Sequence, residues 1–247
     1  MAVQGGAGGY SPAPRVRFEA IGEAWSLFKA DAGTWVLTSL IALIVVGVVM
    51  AAVNLVGNLF LGAAQLSAPE MNPAAMLAVL GSSLIVQLIT SLIIMFAGVI
   101  VTAGIYRMAL RRMRGEQISA GDLFNIGDVF PQVLIAGLLT SVIVTIGSLL
   151  CIIPGIIAAG LLMFTVPLIV DRQMDGVEAI STSFRTLSAD FLNTVLFYVV
   201  LSFIVFAGLL ACCVGVLVTF PLYHLAVAIV YRDFFPDQAA AQPPQQW

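Results

Sequence analysis

Charged residues are scarce in this chain, and their scarcity excludes a water-soluble globular protein. Only 9% of the 247 residues are Asp, Glu, Lys or Arg, and 61% are hydrophobic. Soluble domains carry about 25% charged residues. The chain therefore belongs in a lipid bilayer.

The sequence also lacks the residue sets that catalysis requires. It has one histidine, and its acidic residues are scattered through polar connectors, as Asp122 and Asp128 are. Hydrolysis needs paired carboxylates, an activated nucleophile or a metal cluster. We therefore expect a protein that is not an enzyme, holds no metal or cofactor, and does not bind nucleic acid.

Cysteines are few, and all three are predicted to lie near the outer ends of the third and fifth membrane spans, at Cys151, Cys212 and Cys213. A disulfide between two hairpins is chemically feasible outside the cytoplasm. Small apolar side chains in packed helices are the simpler interpretation.

Long charge-free runs are what the chain has instead, at residues 32–69, 71–106, 129–170 and 191–231. One membrane crossing needs about 20 apolar residues. The last two runs are long enough for two helices each, with breaks predicted at Pro154-Gly155 and near Cys212-Cys213. The sequence thus predicts an all-α polytopic bundle of six transmembrane helices in three hairpins, at residues 35–60, 76–103, 132–153, 155–170, 191–211 and 214–231.

All ten basic residues fall in segments that can be placed on one side of the membrane. By the positive-inside rule, the N and C termini are then cytoplasmic, and we expect a multi-pass protein of the bacterial inner membrane. Residues 1–14 and 237–247 are too poor in apolar side chains to order themselves. They are predicted to be cytoplasmic tails that flank a membrane domain at 15–236. No signal peptide is visible, so the first span is expected to be retained.

An internal repeat relates two segments at a constant offset of 159 residues. Apolar residues recur in both copies at helical spacing, which predicts an amphipathic interfacial helix before the first and the fifth span. A poorer third copy lies within 116–130, with Leu123 and Ile126. The hairpin units are predicted at about 15–107, 115–170 and 175–232. The matching apolar positions are Phe18, Ile21, Trp25 and Phe28 in one copy, and Val177, Ile180, Phe184 and Leu187 in the other.

A shorter repeated motif occurs in the second helix of each predicted hairpin, where a Thr precedes a Gly or Pro by two residues. The three pairs are Thr102 with Gly104, Thr165 with Pro167, and Thr219 with Pro221. Together with the repeat, this short motif indicates that the chain contains three copies of one unit, each consisting of a surface helix and a membrane hairpin.

Two groups of residues are candidates for binding. Arg107, Arg111 and Arg114 form one stripe at i, i+4 and i+7. Its functional interpretation is that it grips anionic lipid headgroups, and the simpler interpretation, which we favour, is that it only sets topology; the two are not exclusive. A possible cleft contains Thr165, Pro167, Thr219, Pro221 and His224.

The polar residues within the spans have structural interpretations as well. His224 either serves transport or is a neutral imidazole bonded to a neighbouring helix, which is the interpretation we favour. Asn54 and Asn58 are expected to face the bundle or a cavity.

Three segments carry a resemblance to a known family, at residues 149–156, 164–183 and 214–232. They include Pro154-Gly155, Pro167, Asp171, Gly176, Ser183, Pro221 and Tyr231-Arg232. The chain resembles the bacterial multi-pass membrane proteins of unknown function that are related to the membrane domain fused to some glycerophosphoryl diester phosphodiesterases. This resemblance covers roughly residues 115–232 and implies a six-span membrane protein. It implies no catalytic residue, because the activity of the fused proteins belongs to a separate soluble domain.

The sequence as a whole favours a non-catalytic membrane component that interacts with lipid or with a partner. Its expected partners are membrane phospholipids, with another envelope protein or self-association as further candidates. The alternative is a transporter or channel for a small solute or a lipid. A polar cavity that joins the cleft residues would favour transport, and a packed interior would favour the interaction role.

Overall fold

The protein is a multi-pass, all-α membrane protein. The computed structural model describes residues 15–66 and 73–236, which form α-helices and one short 3-10 helix, with no strand among them. Six helical segments are long and apolar enough to cross a membrane. This confirms the predicted fold class, while the predicted tails at 1–14 and 237–247 lie outside the described residues.

The first hairpin is much longer than the other two. It consists of α2 (Ala32–Leu66) and α3 (Pro73–Met113), which have 35 and 41 residues. At 1.5 Å per residue these helices measure about 52 and 61 Å. The hydrocarbon core of a bilayer is about 30 Å thick, so the far part of this hairpin extends well beyond a single crossing.

The second hairpin has a broken second helix. It contains α4 (Phe130–Leu150), α5 (Ile152–Leu161) and α6 (Thr165–Arg172). The turn between α4 and α5 is at Cys151, whose backbone is extended, so the predicted break at Pro154-Gly155 was placed too late. Pro154 lies in the first turn of α5, where its missing N–H costs no helical hydrogen bond.

The third hairpin turns close to the position that the sequence predicted. Helix α8 (Phe191–Leu210) ends just before Cys212, where α9 (Cys212–Phe234) begins. Gly215 lies against α8 so closely that an added Cβ would be 2.2 Å from the backbone oxygen of Gly208. Pro221 lies inside α9 without dividing it.

The two predicted surface helices are α1 (Glu19–Ala30) and α7 (Gly176–Ser188). Asp175 caps α7, since its carboxylate accepts a hydrogen bond from the Val177 N–H at 2.9 Å. The third copy is not an α-helix but a 3-10 helix (Ala120–Phe124), which we call the connector helix. Leu123 and Ile126, the two residues matched to the repeat, are buried there.

The three units pack against one another in a cycle. The connector helix lies on α3, α7 lies on α5 and α6, and α1 lies on α9. Each surface segment thus contacts the second membrane helix of the unit before it, and α1 closes the cycle by contacting the last unit. The second helices α3, α6 and α9 contribute most of the buried core.

Candidate functional site

Helices α1 and α7 have two apolar faces with different surroundings. Small residues pack against the bundle, with Ala20 and Ala24 buried in α1 and Ala179 and Ser183 buried at the equivalent positions of α7. Larger apolar residues point away from the protein.

The predicted single apolar face must therefore be corrected. Phe28 and Leu187 are buried in the bundle, whereas Trp25 is 43% exposed and Phe184 is 52% exposed. Small side chains allow the helix axis to approach its neighbours closely, which is why Ala and Ser occupy the inner face. Phe18 and Val177 are also exposed, so the outward surface is apolar in both copies.

Ser183 connects α7 to the break between α5 and α6. Its hydroxyl donates to the Leu161 carbonyl at 2.8 Å and accepts from the Phe164 N–H at 3.2 Å. Both backbone groups belong to the interrupted stretch, where the regular helical ladder is lost. A buried polar backbone group needs a partner, and Ser183 supplies one to each.

The stripe of Arg107, Arg111 and Arg114 is brought together at one end of α3. Each guanidinium forms an ion pair within the protein. Arg107 contacts Asp128 at 2.7 Å, Arg111 contacts Glu116 at 2.7 Å, and Arg114 pairs with Asp171. These pairs join α3 to the segments that follow it, so the arginines have a structural role in addition to any role toward lipid.

The arginine stripe also lines a cavity of about 250 Å³. Leu110 and Val170 form its apolar part, and Glu116 and Asp171 contribute acidic groups. Each guanidinium has five N–H donors. Arg107 uses two of them on Asp128 and the Asn125 carbonyl, so the arrangement has donor capacity for an anionic group at the cavity.

Ion pairs outside the membrane spans shift the ionisation of their members. The hydrogen bond from Arg107 lowers the pKa of Asp128, because the positive guanidinium favours the carboxylate. Asp233 and then Glu23 raise the pKa of Arg17 by the same mechanism. Because Arg17 precedes α1 and Asp233 lies in α9, this contact holds the first surface helix on the last membrane helix.

The residues of the possible cleft are packed in the interior. Thr165, Pro167, Pro221 and His224 are buried, and Thr219 is half-buried. None of the five lines the arginine cavity, the groove between α2 and α3, or the cavity beside Tyr231 and Phe235.

His224 has a local partner, but not in a neighbouring helix as the sequence suggested. Its Nδ1 lies 2.8 Å from the carbonyl oxygen of Phe220, four residues earlier in α9. Pro221 has no N–H, and the carbonyl that loses its helical hydrogen bond for this reason is that of Leu217. His224 therefore contacts a different carbonyl. The rings of Tyr106, Phe220 and Tyr223 surround the imidazole edge-on.

Asn54 and Asn58 also differ from expectation, since both are exposed rather than turned toward the bundle. Cys151 has a free, exposed thiol, and the side chains of Cys212 and Cys213 lie outside the described residues. Within residues 15–66 and 73–236, no three His, Cys, Asp or Glu side chains form a group that could hold a metal ion.

Two contacts between units were not evident from the sequence. Asp171 is almost buried, and it accepts a hydrogen bond from the Tyr231 hydroxyl at 2.9 Å while it pairs with Arg114. The contacts of Ser183 with Leu161 and Phe164 were not evident from the sequence either. The available signal for both was their position in the segments that carry the family resemblance, which does not reveal what a residue contacts.

Comparisons with known proteins find relatives that are themselves uncharacterized. Uncharacterized proteins of Mycobacterium tuberculosis and of Mycobacterium bovis are each 30% identical over 152 residues, which is 59% of this chain and 46% of the relative. The chain thus spans about half the length of the curated relatives it matches. No family model matches, and no solved structure matches. The family resemblance seen in the sequence stays a prediction.

Proposed function

We propose that the protein is a non-catalytic membrane component that binds anionic phospholipid at one face of the bilayer. The observation that carries the proposal is the two-sided character of α1 and α7. Their small residues pack on the bundle, and Trp25 and Phe184 point outward at the same position of the repeat. An outward aromatic ring on a surface helix is suited to the headgroup level of a bilayer.

Basic side chains accompany the outward rings. The Lys29 ammonium lies 5.9 Å from the centre of the Trp25 ring, and Arg185 is exposed beside Phe184. The arginine stripe contributes further positive groups near its cavity. Basic residues beside inserted apolar groups attract anionic headgroups, each contributing about 1 kcal/mol near a charged surface.

The test measures which lipids stay with the protein. Wild-type protein reconstituted in an equal mixture of anionic and zwitterionic phospholipid, then extracted gently, should retain several-fold more of the anionic lipid by mass spectrometry. The double variant Arg107→Gln/Arg111→Gln should lose most of that enrichment. Arg15→Gln removes the same kind of charge from an exposed position and should change it little.

Thermal unfolding of the same variants in a zwitterionic detergent separates binding from folding. The proposal requires the double variant to lose enrichment while it remains folded at the assay temperature. Retention of the two lipids by the wild-type protein in the supplied ratio would contradict it.

Orientation forms a second part of the proposal, with both termini in the cytoplasm of a bacterial inner membrane. Its support is the confinement of all ten basic residues to one set of connectors, which the positive-inside rule places in the cytoplasm. In a variant without native cysteines, a cysteine at Glu70 should react with an impermeant thiol reagent in intact cells, and a cysteine at Gln117 should react only after lysis. The reverse pattern would refute this orientation.

A further inference from the structure

The arginine cavity is lined by acidic as well as basic side chains. The three arginines of the stripe contribute three positive charges, and Glu116 and Asp171 contribute two negative ones. The lining therefore keeps an excess of one positive charge. A cavity of this kind attracts an anionic group, but its own carboxylates limit how much negative charge the group can bring.

Two further carboxylates approach the stripe from outside the cavity. Asp128 pairs with Arg107 at 2.7 Å, and Asp122 pairs with Arg111 at 3.2 Å. The positive charge of the stripe is thus largely compensated within the protein. A phosphodiester carries one negative charge, whereas a phosphate monoester carries about −1.5 to −2 at pH 7. The monoester therefore meets the stronger repulsion from these carboxylates.

The carboxylates of the lining also determine which polar groups fit beside the phosphate. An ionised carboxylate only accepts hydrogen bonds, and it has about four lone-pair sites. Glu116 accepts one hydrogen bond from the Arg111 Nε–H at 2.7 Å, and its side chain is 45% exposed. It therefore has acceptor capacity for a further donor, and a hydroxyl group of a lipid headgroup is such a donor.

Asp171 fixes one wall of the cavity. Its side chain is only 7% exposed, and it accepts a hydrogen bond from the Tyr231 hydroxyl while it pairs with Arg114. These contacts join α6 to α9 and to α3. A wall that is held by three helices is already ordered before a ligand arrives, which reduces the entropic cost of binding.

The apolar part of the cavity connects it to the membrane-spanning bundle. Leu110 and Val170 belong to the buried core, and each is followed in the chain by a charged residue of the lining, Arg111 and Asp171. The cavity thus lies where the apolar core meets the polar connectors. This position suits a molecule with a polar headgroup and apolar chains.

We propose that the arginine cavity selects a phospholipid whose headgroup combines a single phosphodiester charge with hydroxyl groups, as phosphatidylglycerol does. This inference rests on the proposed function, to which it adds the class of anionic lipid. Glu116 is the specificity-determining residue, because its charge faces the ligand. Phosphatidic acid has a phosphate monoester and no hydroxyl-bearing headgroup, so the cavity discriminates against it.

Glu116 and Asp128 give a matched pair of variants. Each carboxylate pairs with an arginine of the stripe at 2.7 Å, and the two side chains are 45% and 44% exposed. Of the two, only Glu116 lines the cavity. Glu116→Gln and Asp128→Asn therefore remove the same charge from similar ion pairs, inside and outside the lining.

The experiment measures lipid retention from an equal mixture of phosphatidylglycerol, phosphatidic acid and a zwitterionic phospholipid. After gentle extraction, mass spectrometry should show the wild-type protein retaining several-fold more phosphatidylglycerol than phosphatidic acid. Glu116→Gln should lose most of this preference, whereas Asp128→Asn and the charge-retaining Glu116→Asp should keep it. Thermal unfolding in a zwitterionic detergent verifies that each variant is folded.

The outcomes separate this inference from the function on which it rests. Equal enrichment of both anionic lipids over the zwitterionic one would overturn the selectivity and leave anionic binding intact. Retention of all three lipids in the supplied ratio would refute the proposed function itself. The same loss of preference in Glu116→Gln and Asp128→Asn would show a general effect of charge and overturn the role of Glu116.

A competition experiment identifies the source of the headgroup. The water-soluble, deacylated form of phosphatidylglycerol presents the same phosphodiester and hydroxyl groups without apolar chains. Added at the concentration of the lipid, it should displace little of the retained phosphatidylglycerol. Complete displacement would overturn a membrane lipid as the ligand and assign the cavity to a soluble phosphodiester.

Discussion

Replacing Gly104 with alanine is expected to destabilise the protein strongly, because the added methyl group would overlap the backbone of the connector helix. A Cβ at this position would lie 2.0 Å from the backbone oxygen of Leu123 and 2.7 Å from its carbonyl carbon. The obstacle is backbone, so no side chain can rotate away, and the connector helix must leave α3. Overpacking of this kind typically costs about 1–3 kcal/mol and occasionally more, and we expect the upper end or beyond.

Gly98→Ala is the matched control. Gly98 lies in the same helix, and nothing is within 4 Å of the Cβ that would be added there. In thermal unfolding in detergent, Gly104→Ala should show a much lower midpoint or fail to yield folded protein, while Gly98→Ala should resemble the wild type. Equal stability of the two variants would show that the close contact between α3 and the connector helix is wrong.

Ser183→Ala should also be strongly destabilising. The substitution removes the partner of the Leu161 carbonyl and of the Phe164 N–H at once. Each buried group left without a partner costs about 1–3 kcal/mol, so the two together should lower the free energy of unfolding by about 2–5 kcal/mol. The midpoint of thermal unfolding should fall by several degrees.

Ser188→Ala provides the comparison for this effect. Ser188 lies in the same helix but is exposed, and its hydroxyl only contacts the Arg185 carbonyl one turn earlier. Exposed substitutions of this kind usually change stability by less than about 0.5 kcal/mol. A Ser183→Ala variant as stable as Ser188→Ala would mean that the break in the second hairpin does not depend on α7.

The repeat explains why only one of the two surface helices carries this serine. Ala24 is the equivalent residue of α1, and α1 packs on α9. Although Pro221 interrupts the sequence of α9, the helix is continuous. Pro221 removes one helical hydrogen bond within α9 but makes no break comparable to the one between α5 and α6. Ala24 has no hydroxyl, so it cannot bond to the backbone of α9 as Ser183 does to the backbone beside α7.

The membrane class, the number of spans and the two surface helices could be predicted because each depends on a local signal. Hydrophobicity along one segment is enough to identify a helix that crosses the bilayer. The break at Cys151 could not be predicted in this way. Proline breaks a helix when it lies in the helix interior but is tolerated in the first turn, so the effect of Pro154 depends on where the helix starts.

The orientation of α1 and α7 was predictable only in part, because a membrane protein offers two apolar surroundings. The spacing of Phe18, Trp25 and Phe28 shows that one side of α1 is apolar, yet lipid and protein interior both accept apolar groups. Residue size separates them, since Ala20 and Ala24 face the bundle. The contacts of Arg107, Asp171 and Ser183 connect distant segments, and no periodicity in the sequence reports such pairings.

The cyclic packing of the units has a consequence for the order of assembly in the cell. Helix α1 is synthesised before every membrane span, but its packing partner α9 is synthesised after all the others. The contacts that hold it, from the Val16 N–H to Asp190 and from Arg17 to Asp233, join residues 174 and 216 positions apart. The cyclic packing of the three units can therefore be completed only after α9 has emerged from the ribosome and entered the bilayer. Until then, α1 lacks its packing partner.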